Sequence, residues 1–156
     1  MQIDKQDVRS VSPIAFRLDP RSGVPPYLQL VQQVEHALRL GLLKVGDQLP
    51  RVKDVVGSLS INPNTVLKAY RELEHKGIVS GRPGQGTFVD VAPETVGLAE
   101  LNDLRKRLIA GWLAEAAAVG LDEDGTVALF MSALRDFFDR SLASDRRTDR
   151  GQRGIA

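Results

Sequence analysis

The chain has no cysteine and only two histidines, His36 and His75, among its 156 residues. Without thiols there is no disulfide framework, no thiol redox switch and no thiolate metal site, and two separated imidazoles cannot build a histidine cage. Long apolar runs are missing too. Nothing approaches the ~20 residues that cross a bilayer, and the N-terminus lacks the basic-then-apolar order of a secretory signal. These absences predict a cytoplasmic chain with no membrane partner, no metal and no cofactor. No histidine is paired with a nucleophile, no GxxxxGK[ST] phosphate loop occurs, and no carboxylate cluster spans a credible cleft, so an enzyme is not expected. Net charge is only +1, which by itself gives little reason to expect nucleic acid.

What is present is concentrated in Ile61-Asn62-Pro63-Asn64-Thr65-Val66, a run dense in helix-start chemistry. Asn62 suits an N-cap, whose side-chain oxygen accepts an orphan backbone N–H, and Pro63 suits N1, where its missing donor costs nothing. Val66, Ala69, Tyr70 and Leu73 then recur at helical spacing. Lys68, Arg71, Glu72 and Lys76 occupy the other faces, and Gly77 fits the C′ stop. A helix start with free N–H groups, partial positive charge and Asn and Thr side chains suits phosphates and base edges.

The flanks extend this pattern. Ile78-Val79-Ser80 and Thr87-Phe88-Val89-Asp90-Val91 are strand-like around the turn cluster Gly81-Arg82-Pro83-Gly84-Gln85-Gly86, predicting a β-hairpin with a basic, flexible tip. Upstream, Pro50 at N1 opens a short helix striped by Val52, Val55, Val56 and Leu59. Earlier still, Pro25-Pro26 opens a helix whose apolar positions Tyr27, Leu30, Val31, Val34, Ala37, Leu38 and Leu42 form a core-facing stripe, with Gly41 in the last turn. His36 reads as a surface or half-buried structural residue, and His75 as a partner of the helix C-terminal dipole. Helix, short turn, helix and hairpin outline a winged helix-turn-helix. Between Arg51 and Arg82 six basic residues stand against three acidic ones, a local excess over the region expected to face a duplex.

Ala92-Pro93-Glu94 interrupts the pattern and marks a module boundary. Beyond it, Leu98, Leu101, Leu104, Leu108, Trp112, Leu113 and Ala116 describe one amphipathic helix ending near Gly120. Asp122 then caps a second helix, striped by Val127, Phe130, Met131, Leu134, Phe137, Phe138 and Leu142. Two such helices cannot enclose a core of their own. Their apolar faces need a second subunit or, alternatively, the first helix of the same chain. The fold class is therefore mainly α with a small β-hairpin. Residues 1–15 are read as a flexible extension or the product of an upstream start codon, and residues 16–92 as the winged helix-turn-helix. Residues 93–143 form a two-helix dimerisation segment and residues 144–156 a disordered basic tail. The dimerisation set is Leu101, Leu104, Leu108, Trp112, Phe130, Leu134, Phe137 and Phe138.

From Pro26 to Val89 the sequence resembles the DNA-binding domain of GntR-type transcriptional regulators. The resemblance rests on Gly46-Asp47-Gln48-Leu49-Pro50, the INPNTV run, Tyr70-Arg71-Glu72-Leu73-Glu74, and Gly84-Gln85-Gly86-Thr87-Phe88-Val89. The INPNTV and KAYRELE wording is most similar to the short YtrA-type subfamily. That resemblance implies a homodimeric regulator, by family tendency a repressor. It departs at Pro50-Arg51-Val52-Lys53, where family members carry Pro-Ser-Glu-Arg or Pro-Ser-Val-Arg. Lys53 stands at the position of a DNA-contacting arginine, and an ammonium cannot fork onto guanine as a guanidinium does.

The expected partners are a double-stranded operator and a second copy of the chain. In a two-fold dimer the helices beginning at Asn62 would enter successive major grooves about 34–36 Å apart, on an inverted repeat. Asn64 and Thr65 are assigned to base edges, and Asn62 to capping ahead of base reading. Arg51, Lys53 and Lys68 are assigned to phosphates, with a guanine also within the range of Lys53. Arg82, Gly84, Gln85 and Gly86 form the wing tip. Arg71 is open between phosphate contact and a pair with Glu74 or His75. Whether a small-molecule effector binds is left open, and the alternative function is a winged-helix module that binds a protein without specific DNA affinity.

Overall fold

In a computed structural model of the chain, the described residues are 11–94 and 97–151, with residues 142–151 described by backbone alone. The chain divides after Leu101 into two compact units. The first holds α1 (Pro26–Arg39), α2 (Val52–Leu59), α3 (Pro63–His75) and a hairpin of β1 (Val79–Arg82) and β2 (Gly86–Val89). Helix α3 is its centre, packing against α1, α2 and β1. Leu30, Val31 and Val34 of α1, Val55 of α2, and Val66, Ala69, Tyr70 and Leu73 of α3 close a single core with Leu43, Leu49, Val79 and Val89. Each fully buried aliphatic there contributes about 1.5–3 kcal/mol relative to exposure.

Helix ends follow their local chemistry. Gly77 adopts φ 73°, its N–H reaches the Glu74 carbonyl at 2.9 Å, and the Ile78 N–H reaches that of Leu73 at 3.0 Å, the Schellman arrangement that satisfies orphan carbonyls. Gly41 ends α1 in the same way, with φ 67°. Leu42 therefore lies past the helix and is exposed, while Leu43 enters the core, which corrects the expected stripe. Pro50 is likewise not the first helical residue. Arg51 is the N-cap of α2, and Pro50 precedes it.

The hairpin is longer and tighter than its turn cluster suggested. Arg82 pairs with Gly86 as the last rung, and the Gln85 N–H closes the turn on the Arg82 carbonyl at 3.0 Å. Upstream of α1, Gln29 and Gln33 tie the incoming segment down: their side-chain oxygens accept the N–H groups of Asp19 and Arg17 at 2.8 and 2.9 Å. Within the expected flexible extension, Ile14 is packed on the core, and residues 1–10 lie outside the described residues.

The second unit is helical. Instead of one continuous helix, α4 (Leu98–Leu108) passes through a π-helical turn at Ile109–Leu113 into α5 (Ala114–Ala118). Gly111, a poor helix former, lies inside that turn, and the extra residue re-aims the side chains that follow. Asp122 caps the next helix by accepting the Gly125 N–H at 2.9 Å. That helix, α6 (Glu123–Gly151), continues past Ser144, where a disordered tail was expected. From Ser144 to Arg150 no proline or glycine interrupts it. The side chains of Leu142, Arg146, Arg147 and Arg150, and all of Arg153, lie outside the described residues.

Candidate nucleic-acid interface

The tight turn Ser60-Ile61-Asn62 joins α2 to α3. Ser60 takes the left-handed conformation at φ 53°, alone among described non-glycine residues, and so reverses the chain in minimal length. Asn62 then caps α3: its Oδ1 accepts the Asn64 N–H at 2.8 Å, and its carbonyl accepts the Thr65 N–H at 2.9 Å. With Pro63 carrying no donor, the first turn has already spent the N–H groups that the sequence reading left free for phosphate. The helix start therefore offers side chains and its dipole rather than a backbone nest. Asn62 is engaged in the cap. Asn64 is exposed, Thr65 half-buried and Arg71 exposed, while Lys68 is exposed with its Nζ 3.9 Å from the centroid of the Tyr27 ring.

An open groove lies between the start of α2 and the wing, lined by Pro50, Arg51, Val52 and Tyr70 on one side and Gly81 to Thr87 on the other. It brings together Arg51, Arg82, Gly84, Gln85 and Gly86, residues far apart in the chain. Arg82 is stacked on the Phe88 ring, its guanidinium carbon 4.4 Å from the centroid, which orders the cation without neutralising it. Lys53 is exposed in the first turn of α2, beside the acidic Asp54. Gly84 sits at φ 72°, where a side chain would be strained. Two charges at the end of α3 are structural. Glu74 accepts the Gly81 N–H at 2.9 Å, so this carboxylate anchors the base of the wing rather than pairing with Arg71. Lys76 pairs with Glu35 at 2.5 Å, and that hydrogen bond holds its ammonium above the ordinary lysine range.

Two supporting residues escaped the sequence reading. The Tyr70 hydroxyl donates to the Pro50 carbonyl and pins the start of α2 onto α3; burial pushes its phenol well above the ordinary value of 10.0. Gln48 is buried below the wing and donates to the Gln85 carbonyl at 2.9 Å. Neither contact has a local signature, because the partners lie 20 and 37 residues away.

In the second unit, Trp112 and Phe130 meet with ring centroids 5.5 Å apart, and Phe137 meets Phe138 at 5.4 Å. Trp112 is half-buried, as is Leu101 at the end of the first unit. Leu104, Leu108, Phe130, Leu134, Phe137 and Phe138 remain exposed, Phe137 to 64%. Among the described residues no helix is long and apolar enough to cross a membrane, and no group of acidic and histidine side chains is placed to hold a metal ion.

The gntR family of bacterial regulatory proteins matches residues 26–89, the span on which the sequence resemblance rests. The chain is 42% identical over 80 residues to the HTH-type transcriptional repressor YtrA of Bacillus subtilis, covering 51% of this chain and 62% of that protein, so it spans less than two thirds of YtrA. It is 36% identical over 105 residues to the HTH-type regulator YhcF of the same organism, covering 67% of this chain and 85% of YhcF. Against the HTH-type regulator Rv1152 of Mycobacterium tuberculosis it is 40% identical over 102 residues, covering 58% of this chain and 84% of that one. The helix-turn-helix, its basic wing and these similarities converge: the chain belongs to the GntR family of bacterial regulatory proteins.

Proposed function

We propose that two copies of the chain, joined through the apolar faces of α4 to α6, bind an inverted-repeat operator and repress transcription from it. The observation that carries this reading is the exposed Asn64 at the capped start of α3, on the domain whose α2–wing groove holds Arg51 and Arg82. Asn64 pairs bidentately with adenine and Thr65 supplies a second base-edge or phosphate contact, while Asn62 holds the helix start that aims both. Arg51, Lys53 and Lys68 neutralise phosphates, Lys68 after leaving the Tyr27 ring. Arg71 is exposed and joins the phosphate set, with Glu74 turned toward the Gly81 N–H at the base of the wing. Arg82 enters the minor groove at the operator flank, and Gly84, Gln85 and Gly86 let the wing backbone approach the phosphates.

Dimerisation is supported by the apolar side chains that α4 and α6 leave uncovered in a single chain. A patch of that kind is covered at lowest cost by its own symmetry mate, and the two-fold axis then imposes palindromy on the site. The repressive sign follows the name carried by the Bacillus subtilis relative. Selection of bound sequences from a random duplex pool tests the reading as a whole. The expected product is an inverted repeat with half-site centres about one helical turn apart, bound in a salt-sensitive manner. Absence of any affinity for duplex DNA at low salt would instead favour a protein-binding module.

A further inference from the structure

We infer that Gln48, a residue with no assigned DNA contact of its own, is the positioning residue of the wing: it holds the hairpin tip at the spacing from α2 at which the wing engages the operator flank. Gln48 is the one buried polar side chain among the described residues, 4% exposed. Its backbone stands opposite Phe88 in an antiparallel bridge. On either side, the Gly46 N–H reaches the Val89 carbonyl, the Val89 N–H that of Asp47, and the Leu49 N–H that of Thr87, each at 2.9 Å. Residues 46–49 thus run beside β2 as an extra strand-like segment. From there the Gln48 amide Nε2 donates to the Gln85 carbonyl at the hairpin turn, 2.9 Å away. It packs flush against Gly86, where an added Cβ would stand only 2.3 Å from Nε2, and Gly86 itself has φ 131°.

Two wing features are therefore referred to one short segment. The tip carbonyl is held by the Gln48 side chain, and Phe88, which faces the Gln48 backbone, carries Arg82 on its ring. The same segment leads through Leu49 and Pro50 into Arg51, the N-cap of α2. A buried amide with one well-placed partner fixes geometry, because letting the tip swing away leaves a buried donor unpaired. Arg51 and the wing tip are in this way held at one separation, and Gln48 acts on DNA only through them.

The inference rests on the proposed role of the wing, and its test separates the two. Hydroxyl-radical footprints of the full chain on its selected duplex are compared for wild type, Gln48→Met and Arg82→Ala, with thermal melting in parallel. Methionine keeps the length and burial of the glutamine and removes the donor. Gln48→Met is expected to melt close to wild type, keep the central major-groove protections, lose the outer-flank protections as Arg82→Ala does, and lower the salt slope by about one unit. Wild-type flanks that persist in Gln48→Met, or central and flank protections that fade together, would overturn the inference alone. A wild-type footprint with no outer flank would overturn the wing reading and this inference with it. Should Gln48→Met fail to fold, Gln48→Glu, which keeps the shape of the side chain but turns an acceptor instead of a donor toward the Gln85 carbonyl, is read by the same criteria.

Discussion

The two units of this chain bury their side chains to opposite extents. In the winged unit Leu30, Val34, Val66 and Leu73 are sealed from solvent, Asn62 caps the start of α3, and α1 and α3 end in Schellman turns. In the unit from Asn102 onward Ala116 is the one buried hydrophobic among the described residues, while Phe137 and Phe138 stand 64% and 55% exposed. The contrast teaches that one unit closes its own core, while the other leaves exposed the apolar side chains that the proposed dimer would cover. On the proposed reading, contact with DNA asks for a rigidity that a single chain supplies, and pairing asks for an apolar face left open for a second copy.

The sharpest way to break the comparison is to charge the open face. Leu134→Glu with Phe137→Glu is expected to yield a monomer by light scattering and to reduce operator affinity on the order of 10²–10⁴-fold through lost bivalence, with little change in melting of the winged unit. Unchanged mass would show that the face is not the interface. Next in size, Leu30→Ala strikes the sealed core and should cost about 2–5 kcal/mol in urea unfolding, without altering the mass of the folded species. Asn64→Ala should cost about 1–3 kcal/mol on the operator and relax its preference over random duplex, whereas Lys68→Ala should weaken all sequences alike and lower the salt slope by about one unit. Equal losses on both duplexes for Asn64→Ala would remove it from base reading.

The smallest effect concerns Tyr70. Tyr70→Phe leaves the Pro50 carbonyl without its donor and should destabilise the winged unit by about 1–2 kcal/mol. Because burial raises the folded phenol above its unfolded value of 10.0, the folded state binds the proton more tightly. Its stabilising contribution is complete below pH 10 and falls as pH rises beyond. Urea midpoints followed upward from pH 9 should therefore drop more steeply in wild type than in Tyr70→Phe.

Contacts made within a few residues were legible in the sequence. Asn62, Gly77 and Asp122 act on groups two or three positions away and Pro63 through its own missing donor, so their chemistry names their role. The apolar stripes of α1 and α3 were readable from periodicity, and the INPNTV and KAYRELE wording led to the family that matches residues 26–89. Errors arose at edges, where one residue of shift changes a role: Leu42 fell outside α1 and Leu43 inside the core, and Arg51 rather than Pro50 opened α2. Contacts across the fold were not legible. Gln48 with Gln85, Glu74 with Gly81 and Tyr70 with Pro50 depend on elements meeting in space, and nothing beside those residues announces the partner. The free N–H groups expected at α3 were lost to a consequence of the cap itself, since Asn62 satisfies the donors it was read as presenting.

The central claim is that two copies, held by α4 to α6, present the starts of their α3 helices to successive major grooves. It is tested most directly by measuring affinity for the selected operator against the same duplex with about five base pairs, half a helical turn, inserted between the half-sites. The account predicts that the insertion lowers affinity to that of a single half-site, because the second α3 then faces the wrong side of the duplex. Affinity indifferent to the insertion would contradict it.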